Sequence, residues 1–208
     1  MSASTNITTS RGLLALCLTA SLMGIFVCST SLTPEYIVQK YREALNSHNV
    51  DSLMNYYADG IVFEVPSMRM KLSGKPALRG LAEYDSVLNT DMVLTNIRVK
   101  GNTVICDITE TNEWMDAAGM TSAHYPEAIF VVINGKISHI KAEISDSSAA
   151  NFDKVLSEFV PWVNENYPES MAGMMPEGNF VFNAKNGETV VRLLRQWRQV
   201  LESEKASE

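Results

Sequence analysis

The sequence predicts an α+β domain in which three N-terminal helices pack on one face of a curved antiparallel sheet, followed by a C-terminal helical extension. Three observations carry this prediction. Apolar residues recur at helical spacing as far as about residue 88, alternation of period two then runs to about residue 144, and helical spacing returns after Asp146. Helices on one side of a curved meander leave a cavity between the two layers.

The first helix is announced by Thr33-Pro34-Glu35, an N-cap followed by proline at the first helical position and an acid in the first turn, with Ile37, Tyr41 and Leu45 as its stripe. A second, short one follows the Asn46–Asn49 turn, with Val50, Leu53, Met54 and Tyr57 on one face and Asp59-Gly60 as its stop. Ile61–Val65 is a short β-rich run closed by Pro66, and Gly74-Lys75-Pro76 opens a third helix with Ala77, Leu81, Tyr84 and Leu88 in line. Strands are predicted over Met92–Val99, Thr103–Met115, Met120–Ile133 and Lys136–Ile144. The turns between them are Lys100-Gly101-Asn102, Asp116–Gly119 and Asn134-Gly135, the last a strong two-residue hairpin signal.

Beyond Asp146 a stripe of Phe152, Val155, Leu156, Phe159 and Val163 predicts a helix that Pro161 should kink or end. Tyr167–Asn186 is rich in Met, Gly and Pro and is expected to be a crossing loop. Its Met171, Met174, Met175, Phe180 and Phe182 suit a lid over the cavity, a dimer contact or plain packing. Val190, Leu194, Trp197 and Leu201 mark a last amphipathic helix.

Residues 1–29 differ from the rest in lacking any acid and in carrying an apolar run from Gly12 to Val27 with Arg11 before it and Ser29, Thr30 and Ser31 after it. This pattern predicts an export signal or an N-terminal anchor, and hence contact with a membrane through this segment alone. Two of the three cysteines, Cys17 and Cys28, lie in it. A cleaved chain would keep only Cys106, so neither a disulfide nor a cysteine metal cluster is expected. The domain proper is then predicted over 33–146 and the extension over 147–208. With Lys+Arg 17 against Asp+Glu 24, a net charge of −7 and no run of basic residues, a nucleic-acid partner is disfavoured.

The order of elements and the segments Tyr41–Asp59, Ser73–Leu78, Gly135–Ile137 with Ala142–Asp146, and Leu193–Arg198 resemble the nuclear transport factor 2-like superfamily, in its SnoaL-like polyketide-cyclase branch. The resemblance covers about residues 34–146. It implies an NTF2-like cone with an apolar pocket, chemistry by carboxylates, Tyr or His without a cofactor, and a possible homodimer through the sheet. Alignment with the epoxide-hydrolase members of the superfamily would place catalytic carboxylates at Glu113 and Glu143 and a water-holding group at Glu64. Thr111 and Val62 stand where those enzymes have arginine and tyrosine, so their relay is incomplete here.

Strand parity argues differently. Val104, Cys106, Ile108, Glu110, Asn112 and Trp114 share one face, opposite Asp107, Thr109, Thr111 and Glu113. If the apolar face looks inward, Glu110 rather than Glu113 enters the pocket, with Asn112 and Trp114 beside it; both acids stay as candidates. A two-residue Asn134-Gly135 turn would set Phe130 opposite His139 and Pro126 opposite Glu143, bringing His124, His139 and Glu143 to one side of the sheet. At about 3.4 Å per residue they are too spread to hold one ion, so no metal is expected. Tyr57 and His124 are further pocket-wall candidates.

Three functions fit these residues. One is an exported protein binding a small hydrophobic molecule. Another is a cofactor-independent acid/base enzyme on a hydrophobic or polyketide-like substrate, and the third is a dimeric envelope interaction module.

Overall fold

Thr33 opens the first helix, α1 (Pro34–Asn46), by accepting the Tyr36 N–H on its Oγ1 at 3.2 Å. Asn49 caps the short α2 (Val50–Met54) in the same way through Ser52. The computed structural model describes residues 32–206. The export signal or anchor predicted over 1–29 lies outside the described residues.

Past α2 the chain departs from the prediction. It enters β1 (Tyr57–Val65) immediately, so Asp59-Gly60 lies inside a strand rather than stopping a helix. A 3-10 turn at Pro66–Met68 leads into β2 (Met70–Ser73), which pairs antiparallel with β1. Next come α3 (Lys75–Val87), β3 (Asp91–Lys100) and β4 (Thr103–Thr111), then α4 (Glu113–Ala118), β5 (Ala123–Ile133) and β6 (Lys136–Lys141). The strands form one sheet in the order β2-β1-β6-β5-β4-β3. It is mixed rather than wholly antiparallel, because β1 runs parallel to β6.

The strand predicted to reach Met115 ends at Thr111. Asn112 is extended and its Oδ1 accepts the Met115 N–H at 2.9 Å, a side-chain cap that starts α4, while Gly119 at φ 75° closes it.

The sheet curves through bulges. Pairing shifts between Thr95 and Arg98 in β3, between Cys106 and Ile108 along the β4–β5 ladder, and between Val131 and Val132 along β5–β6. The last shift corrects the predicted hairpin register. Ile133 faces Lys136 as expected, but beyond Ser138 Phe130 faces Ile140 and Val131 faces His139. One extra residue moves every later side chain of β6 to the other face. Phe130 and Ile140 therefore point into the core, while His139 points out.

The concave face, with Val104, Cys106, Ile108, Phe130 and Ile140, packs with Val38, Tyr41 and Leu78 of the helices into one core. A second core joins the domain to the extension, made of α5 (Asp146–Asn166), α6 (Pro168–Met174) and α7 (Ala184–Lys205). Here Leu88, Trp114 and Met115 meet Phe159, Val163, Leu194 and Trp197. Truncating a residue as fully enclosed as Leu193 or Leu194 to alanine costs about 2–5 kcal/mol. Helix α5 runs through Pro161 and neither ends nor breaks there. The carbonyl that the proline leaves without a donor belongs to exposed Ser157, so water can serve it. The expected crossing loop contains α6, whose Met171 and Met174 are buried.

Two helical glycines permit the extension to lie against α3. A Cβ at Gly187 would come within 2.7 Å of Val87 Cγ2, and one at Gly80 within 2.6 Å of the Phe182 carbonyl oxygen.

Candidate functional site

Between the concave face and α3 lies a cavity of about 200 Å³. Its wall is mainly apolar and aromatic, with Phe63, Leu81, Met92, Trp114, Phe130 and Phe152 among its members. Two carboxylates interrupt it: Glu110, near the end of β4, and Asp85, from the last turn of α3. Both keep some accessible area because they face the cavity, although protein surrounds each of them.

Burial pushes the Glu110 carboxyl up to about 7, against the opposing pull of a 3.1 Å hydrogen bond donated by Asn112 Nδ2. Asp85 is raised well above the usual carboxylate range, first by burial and then by the like charge of Glu110. The nearby Thr90 hydroxyl opposes that rise, although its Oγ1 makes no hydrogen bond of normal geometry. The two acids share a field and titrate as a pair. Burial favours the protonated form of each, and the like charge between them disfavours ionising both.

Asn112 is fixed at both ends of its amide. Oδ1 caps α4 and Nδ2 holds Glu110, so the helix start orients the acid. Tyr84 and Tyr125 complete the polar part of the wall, and burial together with the acid pair keeps both phenols protonated. Among the described residues neither hydroxyl has a hydrogen-bond partner, which leaves both available to a ligand. Tyr41 also lines the cavity, and buried Tyr57 stands behind it, donating to the Tyr41 hydroxyl at 3.2 Å.

The structure thus brings Glu110, Asn112 and Trp114 to the cavity wall, and places Tyr57 one layer deeper. Four other candidates lie elsewhere. Glu113 sits in the first turn of α4, where it accepts hydrogen bonds from Arg195 Nη2 at 2.7 Å and Asn89 Nδ2 at 2.6 Å. Those two bonds hold its carboxyl below the ordinary value. The helix begun by Asn112 turns it away from the cavity, a rotation that no uninterrupted strand would produce.

Glu143 follows β6 on the outer side of the sheet, half exposed, with its Oε2 accepting the Ser67 N–H at 3.2 Å and Lys141 Nζ 3.8 Å from Oε1. The bulge at Ser138 sends it there. Glu64 is likewise on the outer face, 3.0 Å from His139 Nε2 and 3.6 Å from Lys71 Nζ. His124 is exposed; its N–H donates to Ser148 Oγ, its carbonyl accepts the Ser145 N–H, and its ring lies within the field of Asp107. Among the described residues, no group of three His, Cys, Asp or Glu side chains is placed to hold a metal ion.

Asp85, Tyr84 and Tyr125 were not among the predicted acid/base groups. The signal for Asp85 was present: it continues the buried stripe Leu78–Ala82 at i+7, an acid on the inner side of an amphipathic helix.

No curated protein matches the chain in sequence. Its fold is similar to that of several solved structures. An LEH-like epoxide hydrolase from M. tuberculosis is 15% identical with a TM-score of 0.48, over 64% of this chain and 96% of that one. The epoxide hydrolase/cyclase-like enzyme SalBIII, with a role in pyran ring formation in the polyether salinomycin, is 15% identical with a TM-score of 0.49, over 55% and 92%. An NTF2-like protein of unknown function from Cytophaga hutchinsonii is 13% identical with a TM-score of 0.48, over 59% and 98%. Residues 38–140 match the model of the SnoaL-like domain, a domain of the NTF2-like superfamily.

Proposed function

We propose that the cavity binds a small, largely apolar molecule carrying a carbonyl group, and that the Asp85–Glu110 pair moves a proton on it without a cofactor. The observation that carries this reading is the presence of two neighbouring carboxylates in an otherwise apolar cavity. A cavity that only stored a hydrophobic molecule would be more stable without them, because burying an ionisable group costs free energy that apolar side chains do not. Groups kept at such a cost are characteristic of acid/base sites.

The roles follow from the protonation states. Glu110, increasingly ionised as the pH rises through about 7, takes a proton from the carbon next to the carbonyl and later returns it. Protonated Asp85 and the phenols of Tyr84 and Tyr125 are donors for the oxygen on which negative charge develops. The apolar wall lowers the local dielectric and so strengthens these hydrogen bonds.

A test is the exchange of the α-protons of phenylacetone in D2O, followed by NMR at neutral pD. Exchange should be faster with the protein and should fall by about 10²-fold or more in Glu110→Gln. A ketone that binds without faster exchange would leave a binding module, and one that does not bind at all would remove the reading altogether. The proposal also includes export through residues 1–29. A reporter active only outside the cytoplasm, fused to that segment, should give signal, and a reporter retained inside would refute this part.

A further inference from the structure

The cavity wall is completed by residues beyond the matched 38–140 domain. Phe152 comes from α5, where it stacks on Trp114 at 5.1 Å, and Phe182 comes from the segment between α6 and α7. That segment has the composition of a mobile loop, yet it is held at several points. The Val181 N–H donates to the Met174 carbonyl at 2.9 Å, and buried Asn186 donates its Nδ2 to the Val181 carbonyl at 2.8 Å. Asn183 Oδ1 accepts the Asn186 N–H at 2.8 Å, which caps α7 directly after Phe182.

The Phe182 carbonyl rests on α3 at Gly80, with no room for a side chain between them. Its ring meets Tyr84 edge-on at 5.2 Å and Phe180 at 5.1 Å. Backbone and ring are therefore both fixed against the helix that carries Asp85. Tyr84 also lies within the field of the acid pair.

We infer that Phe182 is a specificity-determining residue, a rigid end wall supplied by the C-terminal extension that limits the cavity to compact, ring-containing carbonyl compounds of about ten non-hydrogen atoms. The size follows from the volume: a dry cavity of about 150 Å³ accepts benzene, and this one, at about 200 Å³, admits a few atoms more. Because the segment is pinned, the limit is set by the shape of the wall and not by closure over the ligand. The inference rests on the ligand class proposed above for the same cavity, and assigns its selectivity to a residue outside the family domain.

The test is a series of ω-phenyl-2-alkanones, from phenylacetone to 8-phenyl-2-octanone, whose affinities are read by ligand-observed NMR on the wild type and on Phe182→Ala, Phe182→Leu and Phe182→Trp. The wild type should favour the shortest members. Phe182→Ala should move the optimum to longer chains, gaining roughly fourfold per additional methylene admitted. Phe182→Leu should do the same to a smaller extent while keeping an apolar contact with Tyr84, and Phe182→Trp should narrow the range further. Variants that weaken all members equally, leaving the long-to-short ratio unchanged, would overturn the inference. If the ratios shift but no ketone undergoes α-exchange, the acid/base reading fails and the size limit stands. If exchange occurs with unchanged ratios, the reverse holds. Absence of binding across the whole series would remove both.

Discussion

Asp107 accepts the backbone N–H of Glu127 on its Oδ1 at 3.1 Å, across the β4–β5 ladder at the point where pairing slips by a residue. Its other oxygen accepts Asn96 Nδ2 at 2.6 Å, at the matching slip in β3. Glu127 at φ 55° and Asn96 at φ 52° are both left-handed, a conformation that costs a non-glycine residue energy and persists where surrounding contacts impose it. One carboxylate on the outer face thus holds two bulges, and their combined bend makes the inner face concave.

Asp107→Ala should therefore lower the melting temperature, and Asp107→Asn, which keeps one acceptor, should lower it less. The two bonds hold the Asp107 carboxyl below its ordinary value of 3.8. Its contribution is present above that pH and is lost as the pH falls through the lowered value, so the difference between wild type and Asp107→Ala should shrink in strong acid. Equal melting temperatures at neutral pH would show that the bulges hold without it.

Gly80→Ala sets two effects against each other. Alanine in a helix interior is favoured over glycine by about 1 kcal/mol, but here its Cβ would lie 2.6 Å from a backbone oxygen of a pinned segment. Overpacking against backbone costs about 1–3 kcal/mol, so the net expectation is destabilisation, read by denaturant titration. A variant as stable as the wild type would mean that residues 175–183 give way easily.

These particulars explain what the sequence revealed and what it hid. Local chemistry was legible: Thr33-Pro34, the Asn134-Gly135 turn and the run Val104–Cys106–Ile108–Glu110 each depend on neighbours in the chain, and parity put Glu110 on the inner face. Bulges were not legible, because the extra residue at Ser138 is fixed by pairing between strands and not by the residue itself. The counting that joined Pro126 to Glu143 failed there. The parallel pairing of β1 with β6 and the arrival of Phe152 and Phe182 at the cavity are long-range events that no window of sequence displays. Asp85 was hidden differently. An acid on an inner stripe is visible, but whether that side of α3 meets packed core or a cavity is decided by residues far away in the chain.

Glu113 offers a control for the Asp85–Glu110 pair. Its pair with Arg195 is substantially exposed on both sides, and such pairs contribute about 0–1 kcal/mol. Glu113→Gln should cost no more than that in stability and leave the pH profile of α-exchange unchanged. A large loss of exchange with the fold intact would return Glu113 to the candidate site.

Asn112 separates two jobs of one side chain. Asn112→Asp keeps an acceptor for the Met115 N–H, so the cap of α4 survives, whereas Asn112→Ala should cost about 1 kcal/mol. Asn112→Asp also removes the donor to Glu110 and adds a third acid beside the pair. The Glu110 pKa should then move further above about 7, carrying the alkaline rise of the exchange rate with it. An unchanged profile in this variant would mean that the Asn112 bond does not tune the acid.

The Glu110 shift makes stability and activity run in opposite directions with pH. Its folded value is about 7 against an ordinary 4.5, so between those values the folded state holds a proton that the unfolded state has released. Stability must fall as the pH rises through that window, by at most about 1.4 kcal/mol per pH unit from this group. Over the same window the exchange rate should rise, because the ionised form is the base. Asp85, raised by burial and by the Glu110 charge, adds a loss of the same sign that begins at its ordinary value of 3.8 and runs through the same window. Glu110→Gln removes the ionisation and the like charge together. Its stability should match the wild type near pH 4.5, exceed it above pH 7, and vary less between them, as read by denaturant titration at several pH values. A wild-type stability that is flat or rising from pH 4.5 to 7 and is unaltered by Glu110→Gln would show that this carboxyl titrates normally, and the cavity would lose its base.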